Sequence, residues 1–342
     1  MKSMRILALA QVLALAAVVP SQAQSLADFY TGKQMKMVIG FGPGGGYDLW
    51  GRTLARHLGN HIPGKPSMVP ENMPGAGSYA AANHIYAVAP KDGTVVGIIA
   101  RDAPLGPLTG ADGARFDALK FTWVGSPTAE TNVCISYKTA KVKTFEDLQK
   151  TELIIGHTGA GTGTYTYPHV LNAMMGTKFK IIGGFPSSSD VFLAMERGEV
   201  EGICESLDSV IGKRPDWIKD GTVNLLFQGG AEPNPHIAKV PFINSFAKND
   251  EQKQALVFVY AGQGIGRPFV APPDMPADRT KAIRAAFDAT MKDPAFLEDA
   301  KKQKLDVEPV AGDRLLEILK ALYATPKPVV DKITKILADA AK

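Results

Sequence analysis

The stretch that decides the fold is Phe41–Asp48, whose sequence is FGPGGGYD. It follows an apolar run over 35–41 that predicts a buried strand. It precedes a helical pattern over 48–58, in which Trp50, Leu54 and Leu58 share one stripe. Glycines between a strand and a helix bring free backbone N–H groups to the start of the helix, where the helix dipole favours an anion. The pattern therefore predicts either an anion-binding loop or a tight turn without a ligand.

A second glycine run lies at a matching place. GHTGAGTGT (156–164) follows a strand pattern, and a helix predicted to reach about Met175 follows it. Neither run is a dinucleotide fingerprint, because Leu49 and Thr164 stand where the third glycine should be, and neither ends in the Gly-Lys-Ser/Thr of a P-loop. Pro43 also removes one backbone donor from the first run. Two loops at matching positions favour a pair of anion-receiving loops.

The arrangement of strands and helices indicates an α/β fold. Strand patterns alternate with helical patterns of about 10–15 residues, which predicts βαβ units and mainly parallel sheets. The alternation restarts after about residue 128, and a chain of 342 residues suits two domains. Ligands of open α/β sheets bind at the carboxyl ends of the strands. Both glycine loops are therefore expected to face one cleft.

The N-terminus predicts export. Lys2 and Arg5 precede an apolar run over 6–19 and a small-x-small site at 21–23, which is the pattern of a cleaved signal peptide over 1–23. The run is shorter than the roughly 20 residues that span a bilayer, and an uncleaved anchor is the alternative. Removing the two basic residues lowers the net charge from +4 to +2. A nearly neutral mature chain argues against nucleic-acid binding.

Motifs for catalysis are few. The chain has neither a G-x-S-x-G elbow nor an H-E-x-x-H motif. His57 and His61 have the spacing of metal ligands on a helix, but Pro63 and the residues before it predict that the helix ends there, so ordinary histidines are favoured. His157, beside the second loop, could line the cleft or be structural. No cofactor and no metal are predicted.

Charged residues follow two predicted strands. Arg101 and Asp102 come after GTVVGIIA, and Arg101 could bind a ligand carboxylate, pair with Asp102 or face solvent. Glu205 and Asp208 come after EVEGIC, and they could accept from a ligand amine, hold water, or cap the next helix with Ser206. The residues alone leave these alternatives open.

The chain has two cysteines, Cys134 and Cys204. In an exported protein an even pair can form a disulfide. Two buried thiols that act as small apolar residues are the alternative.

Five segments in order resemble the Bug/TctC family, the exported solute receptors of tripartite tricarboxylate transport systems. They lie between about Gly32 and Pro326, and they are FGPGGGYD, VPENMPGAGSYAAANHIYAVAPKDGT, HTGAGTGT, RGEVEG and GRPFVAPPDMPADR. The resemblance implies an α/β, two-lobe periplasmic binding protein (a Venus flytrap, type II-like) with two chain crossings. Lobe one is expected over 24–128 plus 262–342 and lobe two over 129–261, with crossings near Ser126–Glu130 and Ala261–Phe269.

The resemblance also implies a function. It predicts a monomeric periplasmic receptor, not an enzyme, that closes on a small organic carboxylate and delivers it to a membrane permease. An exported α/β hydrolase or transferase using the same cleft is the rival, although the sequence shows no nucleophile–base pair for it. A ligand sensor for a membrane signalling protein is a third reading.

The resemblance assigns most of the expected ligand-binding residues, and Arg101 joins them from its place after a strand. The full set is Phe41, Gly42, Pro43, Gly44, Gly45, Gly46, Tyr47, Asp48, Arg101, Thr158, Gly159, Ala160, Gly161, Thr162, Gly163, Thr164, Phe185, Glu205 and Ser206. It places Cys134 and Cys204 on neighbouring antiparallel strands, which implies a disulfide.

The sequence departs from the family pattern at the expected pocket. Tyr47 stands where Thr or Ser is common, Tyr165 where His is common, and GGFPSSSD replaces a Pro-Tyr-Lys-Gly run. The added aromatic residues predict tolerance of an aromatic or otherwise apolar acid.

Overall fold

The computed structural model describes residues 25–341, so the predicted signal peptide over 1–23 lies outside the described residues. The strands are β1 Gln34–Ile39, β2 Ser67–Asn72, β3 Val95–Ile98, β4 Thr122–Ser126, β5 Asn132–Tyr137, β6 Leu153–Gly156, β7 Phe179–Ile182, β8 Gly202–Ser206, β9 Val223–Gly229, β10 Phe269–Ala271 and β11 Val310–Ala311.

The helices carry the remaining regular structure. They are α1 Leu26–Tyr30, α2 Gly46–His57, α3 Tyr79–Ala87, α4 Leu105–Thr109, α5 Phe145–Leu148, α6 Gly163–Met175, α7 Ser188–Arg197, α8 Leu207–Lys213, α9 Asp216–Lys219, α10 Asp250–Tyr260, α11 Ala277–Thr290, α12 Pro294–Lys302, α13 Gly312–Tyr323 and α14 Lys327–Ala340. None of the described helices combines the length and the apolar character that crossing a membrane requires.

The strands form two sheets. One has the order β11-β4-β10-β3-β1-β2 and the other β7-β6-β8-β5-β9. We call the part of the chain built on the six-stranded sheet lobe one, and the part built on the five-stranded sheet lobe two. The two-lobe α/β architecture expected from the sequence is confirmed.

The expectation of mainly parallel sheets is wrong, because both sheets are mixed. In lobe one β1 is parallel to β2 and β3, whereas β10 is antiparallel to β3 and β4, and β11 is antiparallel to β4. In lobe two β6 is parallel to β7 and β8, whereas β5 is antiparallel to β8 and β9. Parallel neighbours need a crossover such as a helix. β5 and β10 enter their sheets directly from the other lobe, so helical crossovers do not fix their direction.

Two chain segments join the lobes and bind each other. One runs from β4 to β5 and the other from α10 to β10. The Arg267 backbone N–H donates to the Ser126 hydroxyl over 2.8 Å, and the Glu130 N–H donates to the Gln263 carbonyl over 2.9 Å. The predicted boundaries at 128/129 and 261/262 stay predictions. Helix α14 contacts α6 and α10 of lobe two as well as α4 of lobe one, so it bridges both lobes.

Several local features follow directly from the sequence. Trp50, Leu54 and Leu58 are fully buried, which places the predicted stripe against the core of lobe one. A capping box formed by Thr144 and Asp147 starts α5. Gly198 ends α7 with a left-handed φ of 77°.

The elements that the sequence analysis did not predict include β2, α10 and α12. β2 is a half-exposed edge strand that contains a proline. Its sequence therefore lacks the apolar pattern that would predict a buried strand. Helix α12 begins with Pro294 after the N-cap Asp293, a start signal that was available in the sequence. Helix α10 likewise begins after an Asn249 cap.

The two cysteines lie directly opposite each other on β5 and β8. The structure joins Cys134 and Cys204 in a disulfide, the pairing that the resemblance implied. This covalent link holds the centre of the five-stranded sheet beside the strand end that carries Glu205.

Candidate binding site

A small buried cavity lies between the two lobes, where both glycine loops end. Inside it, the centre of a water-sized molecule can occupy a volume of about 20 Å³. Ten of the predicted ligand-binding residues line it: Phe41, Gly45, Gly46, Tyr47, Arg101, Thr158, Thr162, Gly163, Thr164 and Glu205. Three further residues line it that were not among those predicted: Asp102, Ser187 and Ser188.

The other predicted residues lie outside this cavity: Gly42, Pro43, Gly44, Asp48, Gly159, Ala160, Gly161, Phe185 and Ser206. Phe185 and Gly159 line a neighbouring cavity of about 390 Å³, which shares Phe41 and Thr158 with the first. Ser206 is the N-cap residue of α8, and its hydroxyl is buried without a partner among the described residues.

Asp48 holds the first loop together from inside. Its Oδ2 accepts from the Gly44 N–H over 2.9 Å, and its Oδ1 accepts from Arg52 and Asn72 over 2.9 and 2.7 Å. With both oxygens used in this way, the carboxylate fixes the loop geometry and does not face the cavity.

Glycines of the second loop let the two lobes approach closely. A Cβ placed on Gly161 would lie 2.6 Å from the carbonyl oxygen of Gly77, and one on Gly77 would lie 2.5 Å from the Gly161 nitrogen. A carbon atom cannot sit that close to a neighbouring backbone atom, so any side chain there would separate the loops. Gly159 and Gly161 thus bring the two lobes into contact, and their expected contact with a ligand stays a prediction.

Three helices point their N-termini at the cavity: α2 at Gly46, α6 at Gly163 and α7 at Ser188. Each of the three is ten residues long or more. At the start of α2 the N–H groups of Gly46 and Tyr47 have no acceptor among the described residues, and neither does that of Ser188 in α7. Unpaired N–H groups at helix starts carry partial positive charge. These three free N–H groups could therefore donate hydrogen bonds to an anion.

At the start of α6 the first backbone N–H group is instead bound by a residue of lobe one. Asp102 accepts from the Gly163 N–H over 2.9 Å and from the Tyr167 hydroxyl over 2.8 Å. Burial, partly offset by Arg101, raises the pKa of Asp102 to about 6. A single carboxylate of lobe one thus binds two groups of lobe two.

Two buried arginines, Arg101 in the cavity wall and Arg267 outside it, share one acid. Arg101 donates to Glu130 over 2.6 Å, and Arg267 binds the other oxygen of the same carboxylate. Arg267 also donates to the Ser209 hydroxyl over 2.8 Å. Near this cluster, burial and the charge of Glu130 raise the pKa of Asp208 well above its usual value. Glu130 and Arg267 lie in the predicted crossings, where no sequence signal singled them out.

Tyr47 has both ring faces covered. Phe41 stacks on the ring with 4.3 Å between centroids, and the Arg267 guanidinium lies 4.4 Å from the ring centroid. The Tyr47 hydroxyl accepts from the Arg101 N–H over 3.0 Å. In this arrangement neither ring face of Tyr47 is free to stack on an aromatic acid, and the predicted tolerance of aromatic or apolar acids stays a prediction. Tyr165 packs on His157 and His169, outside the cavity.

Ser78 supports the site from beneath, a role that sequence reasoning missed. It is fully buried with a left-handed φ of 82°, which is unusual for a residue other than glycine. Its hydroxyl accepts from the Ala100 N–H over 3.0 Å and so fixes the backbone that leads into Arg101. Four positive φ values in a row, at Gly75, Ala76, Gly77 and Ser78, make this turn.

The histidines have structural partners. His57 bonds Asp299 over 2.9 Å and His61 bonds Asp293 over 2.8 Å, which agrees with the preference for ordinary histidines over metal ligands. His157 accepts from the Gly159 N–H over 3.1 Å and does not line the cavity. Among the described residues there is no cluster of three or more His, Cys, Asp or Glu suited to a metal ion.

Comparison with solved structures places this geometry in a known fold. The chain matches the periplasmic binding protein BugD with a TM-score of 0.70 at 16% identity, over 91% of this chain and 99% of that one. It matches a TctC solute-binding protein from Polaromonas with a TM-score of 0.58 at 18% identity, over 89% and 99%. This is the Bug/TctC fold.

Another protein with the Bug/TctC fold is MatC from Rhodopseudomonas palustris, solved with bound malate. The TM-score is 0.68 at 17% identity, over 90% of this chain and 99% of that one. No family model and no curated protein matches the sequence. At sequence identities of 16–18% the structural likeness establishes the fold. The resemblance to the Bug/TctC family is therefore confirmed at the level of the fold.

Proposed function

We propose that the protein is an exported receptor that binds a small organic carboxylate between its two lobes. The observation that carries the proposal is that two long helices, α2 and α7, begin at one buried cavity with unpaired N–H groups. The N–H groups of Gly46, Tyr47 and Ser188 are unpaired there among the described residues. A carboxylate oxygen is an anionic acceptor of the size that such amides bind.

Closure of the lobes is part of the proposal. The cavity of about 20 Å³ has room for little more than a water molecule, so the lobes must separate to admit an organic acid. The two joining segments near Ser126–Glu130 and Ala261–Phe269 would act as the hinge, with the lobes divided at 128/129 and 261/262. A ligand that contacts both lobes favours the closed state by its extra affinity for that state.

Delivery and location complete the proposal. Of the structurally similar proteins, BugD is named as a periplasmic binding protein, the Polaromonas TctC protein as a solute-binding protein, and MatC was solved with bound malate. By analogy this chain would be a periplasmic monomer that binds without chemistry and passes its ligand to a permease of the tripartite tricarboxylate type. Recovery of the bound acid chemically unchanged, checked by NMR, tests the absence of catalysis. A mature N-terminus near Gln24 tests export.

Calorimetric titration with matched acids and amides tests ligand class. Small carboxylic acids, malate and succinate among them, should include binders, whereas the corresponding carboxamides should not bind, because an amide carries no negative charge for the helix starts. Equal binding of an acid and its amide would contradict the proposal, and so would binding of neither across the panel.

A variant can separate binding from folding. Ser188→Asp puts a negative charge in the first turn of α7, where it suits the helix dipole but repels a bound carboxylate. We expect at least tenfold weaker binding of the best acid. Ser245→Asp, at an exposed position of the same lobe, is the matched control. Unchanged affinity in Ser188→Asp would place the carboxylate elsewhere.

A further inference from the structure

A second cavity lies on the other side of the segment that joins α10 to β10. The centre of a water-sized molecule can occupy about 870 Å³ of it, compared with about 20 Å³ at the glycine loops. Within the joining segment, a Cβ on Gly262 would contact Oδ1 of Asp102, which lines the cavity at the glycine loops. Gly264 instead lines the second cavity, where a Cβ would lie 3.8 Å from Ile318. The segment therefore separates the two cavities, and we call the second one the rear pocket.

Both lobes contribute to the rear pocket. One wall is α10, with Val257 and Phe258, and the other is α13, with Ile318 and Leu322. Helix α10 packs on α6 of lobe two, whereas α13 packs on β4 of lobe one. Val329 of α14 and the loop after β9 also line the pocket. Chain segments from both lobes thus surround it.

The lining is mainly apolar, with an excess of positive charge. Lys253 and Arg314 are its basic residues, and Glu317 is its acidic one. Arg314 binds Glu317 over 2.8 Å, so its charge is already balanced. Lys253 lies 3.4 Å from Asp250, but both side chains are exposed and such a pair is weak. Lys253 is therefore the cation that an anionic group at the pocket would meet.

We propose that the rear pocket binds an amphipathic organic anion, such as a medium-chain fatty acid, and that the bound molecule favours closure of the lobes. The volume lies within the roughly 300–1,000 Å³ of small-molecule sites, which often form between domains. The apolar walls take the body of the molecule, and Lys253 takes its anionic group.

The effect on closure follows from the place of the joining segment. Because this segment lies between the two cavities, separating the lobes at the glycine loops brings α10 and α13 together behind it. A molecule held between these helices opposes that movement and so has higher affinity for the closed state. Binding in the rear pocket does not depend on the proposed function, whereas the effect on closure rests on it.

A matched pair of fluorescent probes tests the pocket. 8-Anilinonaphthalene-1-sulfonate has an aromatic body and one sulfonate, and N-phenyl-1-naphthylamine is the same body without the charge. We expect both to bind the protein and dodecanoate to displace them, with the sulfonate bound about threefold or more tightly than the amine. Lys253→Gln should remove this preference and leave the amine unaffected. Binding of neither probe overturns the inference, and equal affinities in the wild type overturn the anionic class.

The variant Val257→Asp locates the site. Val257 is 63% exposed near the end of α10, and a charge there should weaken binding of the sulfonate about tenfold or more. Val88→Asp, at a valine 70% exposed at the end of α3, is the matched control. Circular dichroism checks folding, and Lys253→Gln decides the matter if Val257→Asp does not fold. Unchanged binding in a folded Val257→Asp protein overturns the site.

Two measurements exclude other occupants of the pocket. Sedimentation velocity should show no self-association, and association that Val257→Asp abolishes would assign the pocket to a second copy. Vesicles of phosphatidylglycerol should not carry the protein in flotation, and flotation lost in Val257→Asp would assign it to a membrane surface. Either result overturns the assignment to a free molecule.

Small-angle X-ray scattering tests the effect on closure. Saturation with the sulfonate probe, with no organic acid present, should lower the radius of gyration of the wild type but not of Val257→Asp. An unchanged radius with the probe bound overturns the effect on closure and leaves the pocket standing. Failure of the proposed function would appear separately, as loss of acid binding while the probes still bind.

Discussion

In each of the two glycine loops a carboxylate accepts from a backbone N–H group, but the two carboxylates come from different parts of the chain. In the loop before α2, Asp48 binds the N–H of Gly44 four residues earlier, and the first turn of the helix stays unpaired toward the cavity. In the loop before α6, Asp102 of the other lobe binds the first helical N–H, at Gly163. The first loop is shaped by its own residues, whereas the second is completed only when the lobes meet.

The glycines of the two loops also differ, because one is required by its own turn and the other by contact with the opposite lobe. Gly44 needs a left-handed φ of 88°, which is a local demand of the turn. Gly161 needs space, because the backbone of Gly77 from lobe one lies against it. Loops that look alike in sequence can therefore provide preformed free N–H groups on one side and a contact surface between the lobes on the other.

The largest expected effect comes from the disulfide, which lies entirely in lobe two, the lobe that carries the second glycine loop. The disulfide spans a sequence separation of 70 residues. Replacing both cysteines with alanine should lower the free energy of unfolding by about 4 kcal/mol, because the unfolded chain loses a long constraint. Urea denaturation of the variant and of the oxidised wild type measures the change. The reduced wild type is the control, and a loss below about 1 kcal/mol would contradict the prediction.

Gly161→Ala tests the closing surface. The added methyl group would lie 2.6 Å from the Gly77 oxygen of the other lobe. Overpacking costs about 1–3 kcal/mol, so the best acid of the panel should bind about 5- to 150-fold more weakly. Stability without ligand should change little, because the lobes can remain apart. Gly212→Ala, with no contact nearer than 3.7 Å, is the matched control. Equal affinities in the two variants would remove Gly161 from the closing surface.

The acid of the second loop should give stability a pH dependence. Burial raises the pKa of Asp102 to about 6 in the folded protein, above the unfolded value of about 3.9. Between those values the folded protein holds a proton that the unfolded chain has released, so the contribution of Asp102 to the free energy of unfolding falls as pH rises from about 4 to 6. Asp102→Asn removes that titration, and its stability relative to wild type should rise across this window.

Urea denaturation at several pH values between 4 and 7 measures this difference. Asp220→Asn, at an exposed position, is the control for losing a surface aspartate. Curves for Asp102→Asn and wild type that stay parallel through the window would show that Asp102 does not titrate there.

The smallest expected effect is the loss of one hydrogen bond from lobe two to the first loop. The Ser189 hydroxyl donates to the Gly44 carbonyl over 2.6 Å. Ser189→Ala should cost about 0.5–1.5 kcal/mol of binding free energy, or roughly 2- to 12-fold in affinity. Ser245→Ala, whose hydroxyl bonds locally to Phe242, is the control. A loss as large as that of Gly161→Ala would mean that the first loop depends on closure as strongly as the second.

The sequence by itself determined many of the local elements and their order. Glycine runs, caps and apolar periods mark α2, α5, α6 and α7, because these signals act within a few residues. The ordered segments of the family resemblance supplied the two-lobe fold and the pairing of Cys134 with Cys204. They also singled out ten residues that line the cavity.

Only the tertiary structure decided what each of those residues does. The roles of Asp102, Glu130 and Arg267 depend on partners 29 to 137 positions away in the chain, so no local pattern could assign them. Asp48 binds a backbone N–H group of its own loop, and Gly161 lies against the backbone of the opposite lobe. Strand direction in the two sheets also followed from where the chain crosses between lobes. Hydrogen bonds and close backbone contacts depend on distances in space, which sequence spacing does not encode.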